Sequence, residues 1–339
     1  PNIAPEPSIM KALQDAIMVP ENYKYAINEL PEMKAAIHDW YKDRYHVELT
    51  NDEMICLQGS QEALSTLFLA MCDPGDIVLV PDPYYPIFSD GPKIAGAKVE
   101  YMPLLEEYNY IIQLDKIDEE IAKKAKMMIV SYPNNPTCAI APDSFYEELI
   151  AFAKKYDIVV LHDNAYSELV FDGKVGKSFL SFAGAKEVGI ELNSFSKTYG
   201  MAGARLGVCV GNKEVIECYN TLKSNMDYGI FLPVQYAGIE ALRHGGASIH
   251  STCQAYQDRR DALCEIFDSV GWHIASSPAT MFAWAKIPDP YEDSYAFTKD
   301  LLEKTGIVVT PGQAFGVHGK KYVRLALVQD IEDIKEAAE

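Results

Sequence analysis

Between Asp76 and Gly211, six short apolar runs recur, each closing on polar residues, glycine or proline. They are "DIVLVP" (76–81), "AKVEYM" (97–102), "MMIVSYP" (127–133), "DIVVLHD" (157–163), "VGIELNSF" (188–195) and "LGVCVG" (206–211). Their length and their content of valine and isoleucine are those of short buried strands. Before and between them lie "SQEALSTLFLAMC" and "DSFYEELIAFAKKY", both with helical spacing; the second follows Pro142 and opens on Asp143. Strand alternating with helix predicts an α/β fold: a mostly parallel sheet with helices on both faces, because the crossovers place them there. In such a sheet a ligand site lies beyond the carboxyl ends of the strands.

From about Gly245 the pattern changes. A helix predicted over roughly 247–270 is followed by short strands and helices, which reads as a smaller α+β unit. With 339 residues the chain has room for about two domains. The expected division is a large unit over 22–244 and a small one made of 1–21 and 245–339. The net charge of −19 opposes non-specific binding to nucleic acid or an anionic membrane. No apolar run reaches the roughly 18 residues of a membrane span. Seven cysteines, none in C-x-x-C spacing, indicate neither a disulfide framework nor a zinc site. They point to a reducing compartment, the cytoplasm. The opening "PNIAPEPSIMKAL" lacks an initiating methionine and reads as starting inside a loop, with a further segment expected before it.

Polar clusters fall at several predicted strand or helix ends. "GSQEA" puts Gly59, Ser60 and Gln61 at a helix start, where free N–H groups and the helix dipole favour an anion. "DPYYP" offers Tyr84 and Tyr85, "SYPNNPTCAI" carries Asn135, and "HDNAYSE" carries Asp163 and Tyr166. Taken singly, these are also an ordinary serine cap, a turn asparagine and a capping aspartate. The stretch "NSFSKTYGMAGARLG" is less ordinary. It sets Lys197 among Ser194, Ser196, Gly200, Gly203 and Arg205. A lysine near other cations has its ammonium form disfavoured, which frees the amine as a nucleophile for a carbonyl. A phosphate cradle, an acid, an amide, an aromatic ring and such a lysine are what pyridoxal 5'-phosphate requires. The acid keeps the cofactor's pyridine nitrogen protonated.

In these motifs, and in their order, the chain resembles the class I/II pyridoxal-phosphate-dependent aminotransferases of fold type I, from about residue 5 to its end. The resemblance implies that Lys197 bonds the cofactor covalently and moves the substrate's Cα proton, with Asp163 facing the pyridine nitrogen. It implies Tyr166 and Asn135 at the phenolic oxygen, Tyr85 against the ring, and Ser60, Gln61, Ser194 and Arg205 at the phosphate. Arg324 in "KYVRLALV", after "PGQAFG", matches the arginine that grips the substrate α-carboxylate. The family assembles as a homodimer with its sites at the interface. Tyr25 matches the tyrosine that reaches the partner's phosphate, with Tyr23 as the alternative if the alignment carries a gap near Glu29. The implied reaction is ping-pong transfer of an amino group from an amino acid to a 2-oxo acid. The segments "MPLLEEYNYIIQLDKI" and "LNSFSKTYGMAGARLG" look most like the LL-diaminopimelate aminotransferase branch.

Two features depart from the family pattern. Cys138 stands where "NNPT" is usually followed by glycine, and the glycine-containing N-terminal loop that covers substrate is missing or barely present. Rival readings are a C–S lyase on the same fold, or a non-catalytic ligand sensor, which would need a DNA-binding module in front of it. "GKVGKS" (173–178) is not a phosphate loop, because Phe171 occupies the required glycine position. "SFSK" lacks the S-D-N partner of the serine acyl-transferases.

Overall fold

The computed structural model describes residues 2–338. Its main sheet holds β1 (Met54–Leu57), β2 (Ile77–Asp82), β3 (Lys98–Pro103), β4 (Ala125–Val130), β5 (Val159–Asp163), β6 (Gly189–Ser194) and β7 (Gly207–Gly211). The spatial order is β1-β7-β6-β5-β4-β2-β3. The β3–β2, β2–β4, β4–β5 and β5–β6 pairs are parallel; β7 runs antiparallel to both β6 and β1. The sheet is therefore mostly parallel, as its alternating pattern predicts.

The reversal at β7 has a local cause. A parallel neighbour needs a crossover of about a dozen or more residues, usually a helix. Residues 195–206 form only a one-turn helix (Phe195–Thr198) and a 3₁₀ turn (Ala202–Ala204). The chain turns straight back, and Ser194 pairs with Gly207. Lys197 and Arg205 consequently ride on one loop at the carboxyl end of β6. Strand β1 was not among the apolar runs: "MICL" is four residues long and carries no alternation.

Side chains alternate between two cores. Cys56, Leu79, Met128, Val130, Val160 and Val208 face the helices Pro31–Tyr45, Asp143–Tyr156 and Leu232–His244. Leu57, Val78, Val80, Ile129, Leu161 and Leu192 face Ser60–Met71, Ile87–Ile94 and Lys213–Lys223. This period of two, with both faces apolar, explains why the strands read as continuous apolar runs.

The C-terminal part builds an antiparallel sheet in the order β8-β10-β9, from β8 (Phe282–Lys286), β9 (Thr310–Pro311) and β10 (Tyr322–Ala326). A third core, with Ala283, Val323 and Leu325, joins it to the helix Gly246–Ser269. The N-terminal arm touches both units. Asn2 donates to Val328 O at 2.5 Å and accepts from Arg259 at 3.0 Å. Helix Pro7–Ile17, however, lies along Leu232–His244 of the large unit. All seven cysteines are free thiols. Among the described residues, no helix is long and apolar enough to cross a membrane.

Candidate functional site

The carboxyl ends of β1, β2, β4, β5 and β6 point the same way, and β7 starts at that end. The loops that follow them, with β8 and β10 of the small sheet, line one pocket of about 300 Å³. It is lined by Ser60, Gln61, Tyr85, Asn135, Asp163, Tyr166, Ser194, Lys197, Arg205 and Arg324, together with Leu64, Ala165, Ser196 and Phe282. Every predicted site residue lies there except Tyr25. That side chain is 75% exposed and packs against Tyr228, ring centroids 4.9 Å apart. Tyr23 is also exposed and lies edge-on to Phe231. Larger cavities lie elsewhere in the molecule and contain neither Lys197 nor Asp163.

At one end of the pocket, helix Ser60–Met71 starts on Gly59 with no side-chain cap, so its first N–H groups are free. Gly59 has φ +75°, and a Cβ placed there would lie 2.5 Å from Arg205 Nη2. Glycine is needed at 59 both for the backbone angle and to leave room for the guanidinium. Arg205 is held by Ala202 O at 2.9 Å. Ser194 Oγ accepts from Ser196 N at 3.2 Å, which leaves its own O–H free to donate. Tyr85 donates to Gln61 Oε1 at 2.8 Å.

Elsewhere in the pocket, Arg324 Nη1 donates to Asn135 Oδ1 at 2.8 Å. The guanidinium lies 4.1 Å from the Phe282 ring and 4.6 Å from that of Phe315. Its Nε is buried without a partner. Burial pushes the Arg324 pKa below its ordinary value.

Lys197 and Asp163 form the titrating pair between these ends. Burial pushes the Lys197 ammonium below its ordinary range; Asp163 opposes that shift, and Arg205 and Arg324 add to it. Nearby cations do push in the direction read from the sequence, but burial is the larger cause. Burial raises Asp163 from 3.8 to about 6, against His162, the Ala165 N–H and Lys197. Asp163 Oδ1 is buried and accepts no hydrogen bond. A buried carboxylate oxygen without a partner is costly unless something else fills its place. Burial also raises the Tyr166 phenol, so its hydroxyl stays protonated and can donate.

These groups fit pyridoxal 5'-phosphate. The carboxylate of Asp163, which lines the pocket, can accept from a pyridinium N–H. The space in front of Gly59, with Arg205 and the uncapped helix start, can take a phosphate. Tyr166 and the amide N–H of Asn135 can donate to a phenolic oxygen. Lys197 supplies an amine whose charged form burial disfavours. Phe282 was not anticipated from the sequence: an apolar residue opening a strand carries no signal of a site, and only the fold brings it beneath Arg324.

Comparison with known proteins gives a consistent picture. The family model for "Aminotransferase class I and II" matches residues 2–339. A curated LL-diaminopimelate aminotransferase from Halothermothrix orenii is 46% identical over 334 residues, covering 98% of this chain and 86% of its own. Another from Moorella thermoacetica is 44% identical over 322 residues, covering 94% and 82%. Among solved structures, substrate-bound BacF from Bacillus subtilis superposes with a TM-score of 0.97 at 38% identity, covering 100% of this chain and 86% of that one. A probable N-succinyldiaminopimelate aminotransferase from Thermus thermophilus gives 0.93 at 32% identity, covering 99% and 90%.

Proposed function

We propose, because this chain belongs to the class I and II aminotransferase family and is a pyridoxal-phosphate-dependent aminotransferase, that its amino donor is LL-diaminopimelate. The donor assignment draws on the names of its curated relatives. The site reading rests on one observation: Asp163, a buried carboxyl with one oxygen left without a hydrogen-bond partner, lines the same pocket as Lys197.

When bound, the cofactor supplies an electron sink that makes a Cα proton removable and carries the amino group between two substrates. The chain's residues do the rest. Lys197 Nζ, whose ammonium form burial disfavours, would take the proton from the donor's Cα. Asp163 would hold the pyridine N–H in its charged form. Arg324 grips the α-carboxylate with its two-pronged fork, already aimed by Asn135 and the two phenylalanine rings. Ser60, Ser194 and Arg205 would bind the phosphate, Gln61 steadies Tyr85, which would pack against the ring, and Tyr166 would donate to the phenolic oxygen.

We also place the chain in the cytoplasm, as a homodimer. Tyr25, Tyr228, Tyr23, Ile27 and Phe231 make an exposed apolar surface that a second copy would cover, bringing Tyr25 to the partner's phosphate. The division into 22–244 and 1–21 plus 245–339 remains our reading of the domains, although helix Pro7–Ile17 packs on Leu232–His244. Stopped-flow half-reactions with a panel of amino acids test the donor. LL-diaminopimelate should convert the bound cofactor to its amino form with the highest kcat/KM. A faster reaction with another donor would replace the assignment, and release of ammonia with pyruvate would favour lyase chemistry. Sedimentation of an active monomer would sink the dimer.

A further inference from the structure

We propose that Cys138 is a positioning residue for the carboxylate clamp, acting on Arg324 through both Asn135 and Phe282. The proposal rests on the reading of Arg324 as that clamp. Cys138 closes the turn that carries Asn135, its N–H donating to Asn134 O at 2.9 Å. It does so at φ 64°, the left-handed region that costs a non-glycine residue about 1–2 kcal/mol. Across the gap between the two units stands Thr280, at φ 74°. For a β-branched residue that angle is a genuine outlier.

These two strained residues are bonded to each other. Thr280 Oγ1 donates to Cys138 Sγ at 3.2 Å, and the thiol donates to Phe282 O, also at 3.2 Å. Pro136 O, at 3.4 Å, is the farther acceptor for the single thiol proton. Both residues are fully buried. Burial pushes the thiol up to about 12, so at neutral pH it is an intact donor. Phe282 is fixed further by its N–H to Thr280 Oγ1 at 3.2 Å and by Ser277 Oγ donating to its carbonyl at 3.0 Å. Strained backbone persists where its surroundings over-determine it, and it clusters at functional sites.

The connection to the clamp is short. The Phe282 ring lies 4.1 Å from the Arg324 guanidinium carbon, and Asn135 Oδ1 lies 2.8 Å from its Nη1. One thiol thus links the turn that bears the amide to the strand that bears the ring. Glycine at 138 would adopt the angle without strain but could neither donate nor accept through a side chain.

The test compares the holoenzyme with Cys138→Gly, Cys138→Ala and Cys138→Ser. The readouts are donor KM and kcat, calorimetric affinity for succinate as a carboxylate probe, and thermal midpoint. Cys138→Gly and Cys138→Ala should raise KM and weaken succinate binding about fivefold, the scale of one net hydrogen bond, with kcat moved far less. Cys138→Ser, whose hydroxyl can donate and accept in the same place, should recover most of the loss. Equal succinate affinity in all variants, or Ser behaving as Ala does, overturns the proposal, as does a loss that merely tracks the thermal midpoint. Should Cys138→Ala not fold, the Gly and Ser variants decide, since glycine relieves the left-handed strain. A wild type that binds succinate but transaminates no amino acid would sink the proposed activity, while the affinity comparison still judges the thiol.

Discussion

Asp163→Asn should stabilise the cofactor-free protein near neutral pH while weakening cofactor binding. Burial raises the Asp163 carboxyl from its ordinary 3.8 to about 6 in the fold. The native state therefore binds its proton more tightly than the unfolded chain does. Stability is lost as pH rises from about 4 to about 6, and the loss is complete above that window. At about 1.4 kcal/mol for each tenfold change in proton affinity, the penalty at pH 7.5 comes to about 3 kcal/mol. Asparagine has no charge to desolvate and escapes it. Part of the gain is offset, because Lys197 loses the carboxylate that favours its ammonium form. Denaturant unfolding of stripped wild type and variant at pH 4 and pH 7.5 reads the difference directly. The variant should be the more stable at pH 7.5, with the gap closing at pH 4. A wild type more stable than the variant at pH 7.5 would refute the claim that Asp163 is an uncompensated buried charge awaiting a cationic partner.

Three further outcomes follow from the geometry. Arg324→Lys keeps a charge but loses the fork held by Asn135, so kcat/KM for the donor should fall by about 10- to 100-fold, the worth of a hydrogen bond to a charged group. Gly59→Ala places a methyl 2.5 Å from Arg205 Nη2 at φ +75°, so equilibrium dialysis should show weaker cofactor binding, with a smaller loss for free substrate. Lys223 is 4% exposed and bonds Glu62 at 2.7 Å and Asp227 at 2.6 Å. Lys223→Met leaves two carboxylates facing each other and should cost about 3–5 kcal/mol in denaturant unfolding.

Much of the site was legible because its residues sit where the chain changes character. Asn135, Asp163 and Lys197 follow apolar runs, and a parallel sheet gathers the ends of such runs on one side. Lys197 and Arg205 share a single loop, so their proximity is nearly a local property. Other features depend on contacts far apart in sequence. The direction of β7 follows from how little helix the 195–206 loop can form. Phe282 and Phe315 become the bed of Arg324 only once the small sheet docks, and nothing in an apolar residue announces that. Glu62 and Lys223 lie on separate helices with no spacing to connect them. Tyr25 lies outside the pocket, against Tyr228, and the proposed role for it turns on a second copy.

The most direct test of the account is the visible absorption spectrum of the purified protein with pyridoxal 5'-phosphate, before and after LL-diaminopimelate, for wild type and Lys197→Ala. The wild type should show the band of a covalently held cofactor and lose it on adding the donor. Lys197→Ala should bind some cofactor but fail to turn over. Full turnover in Lys197→Ala, or no covalent band in the wild type, would contradict the assignment of Lys197 as the residue on which the chemistry depends.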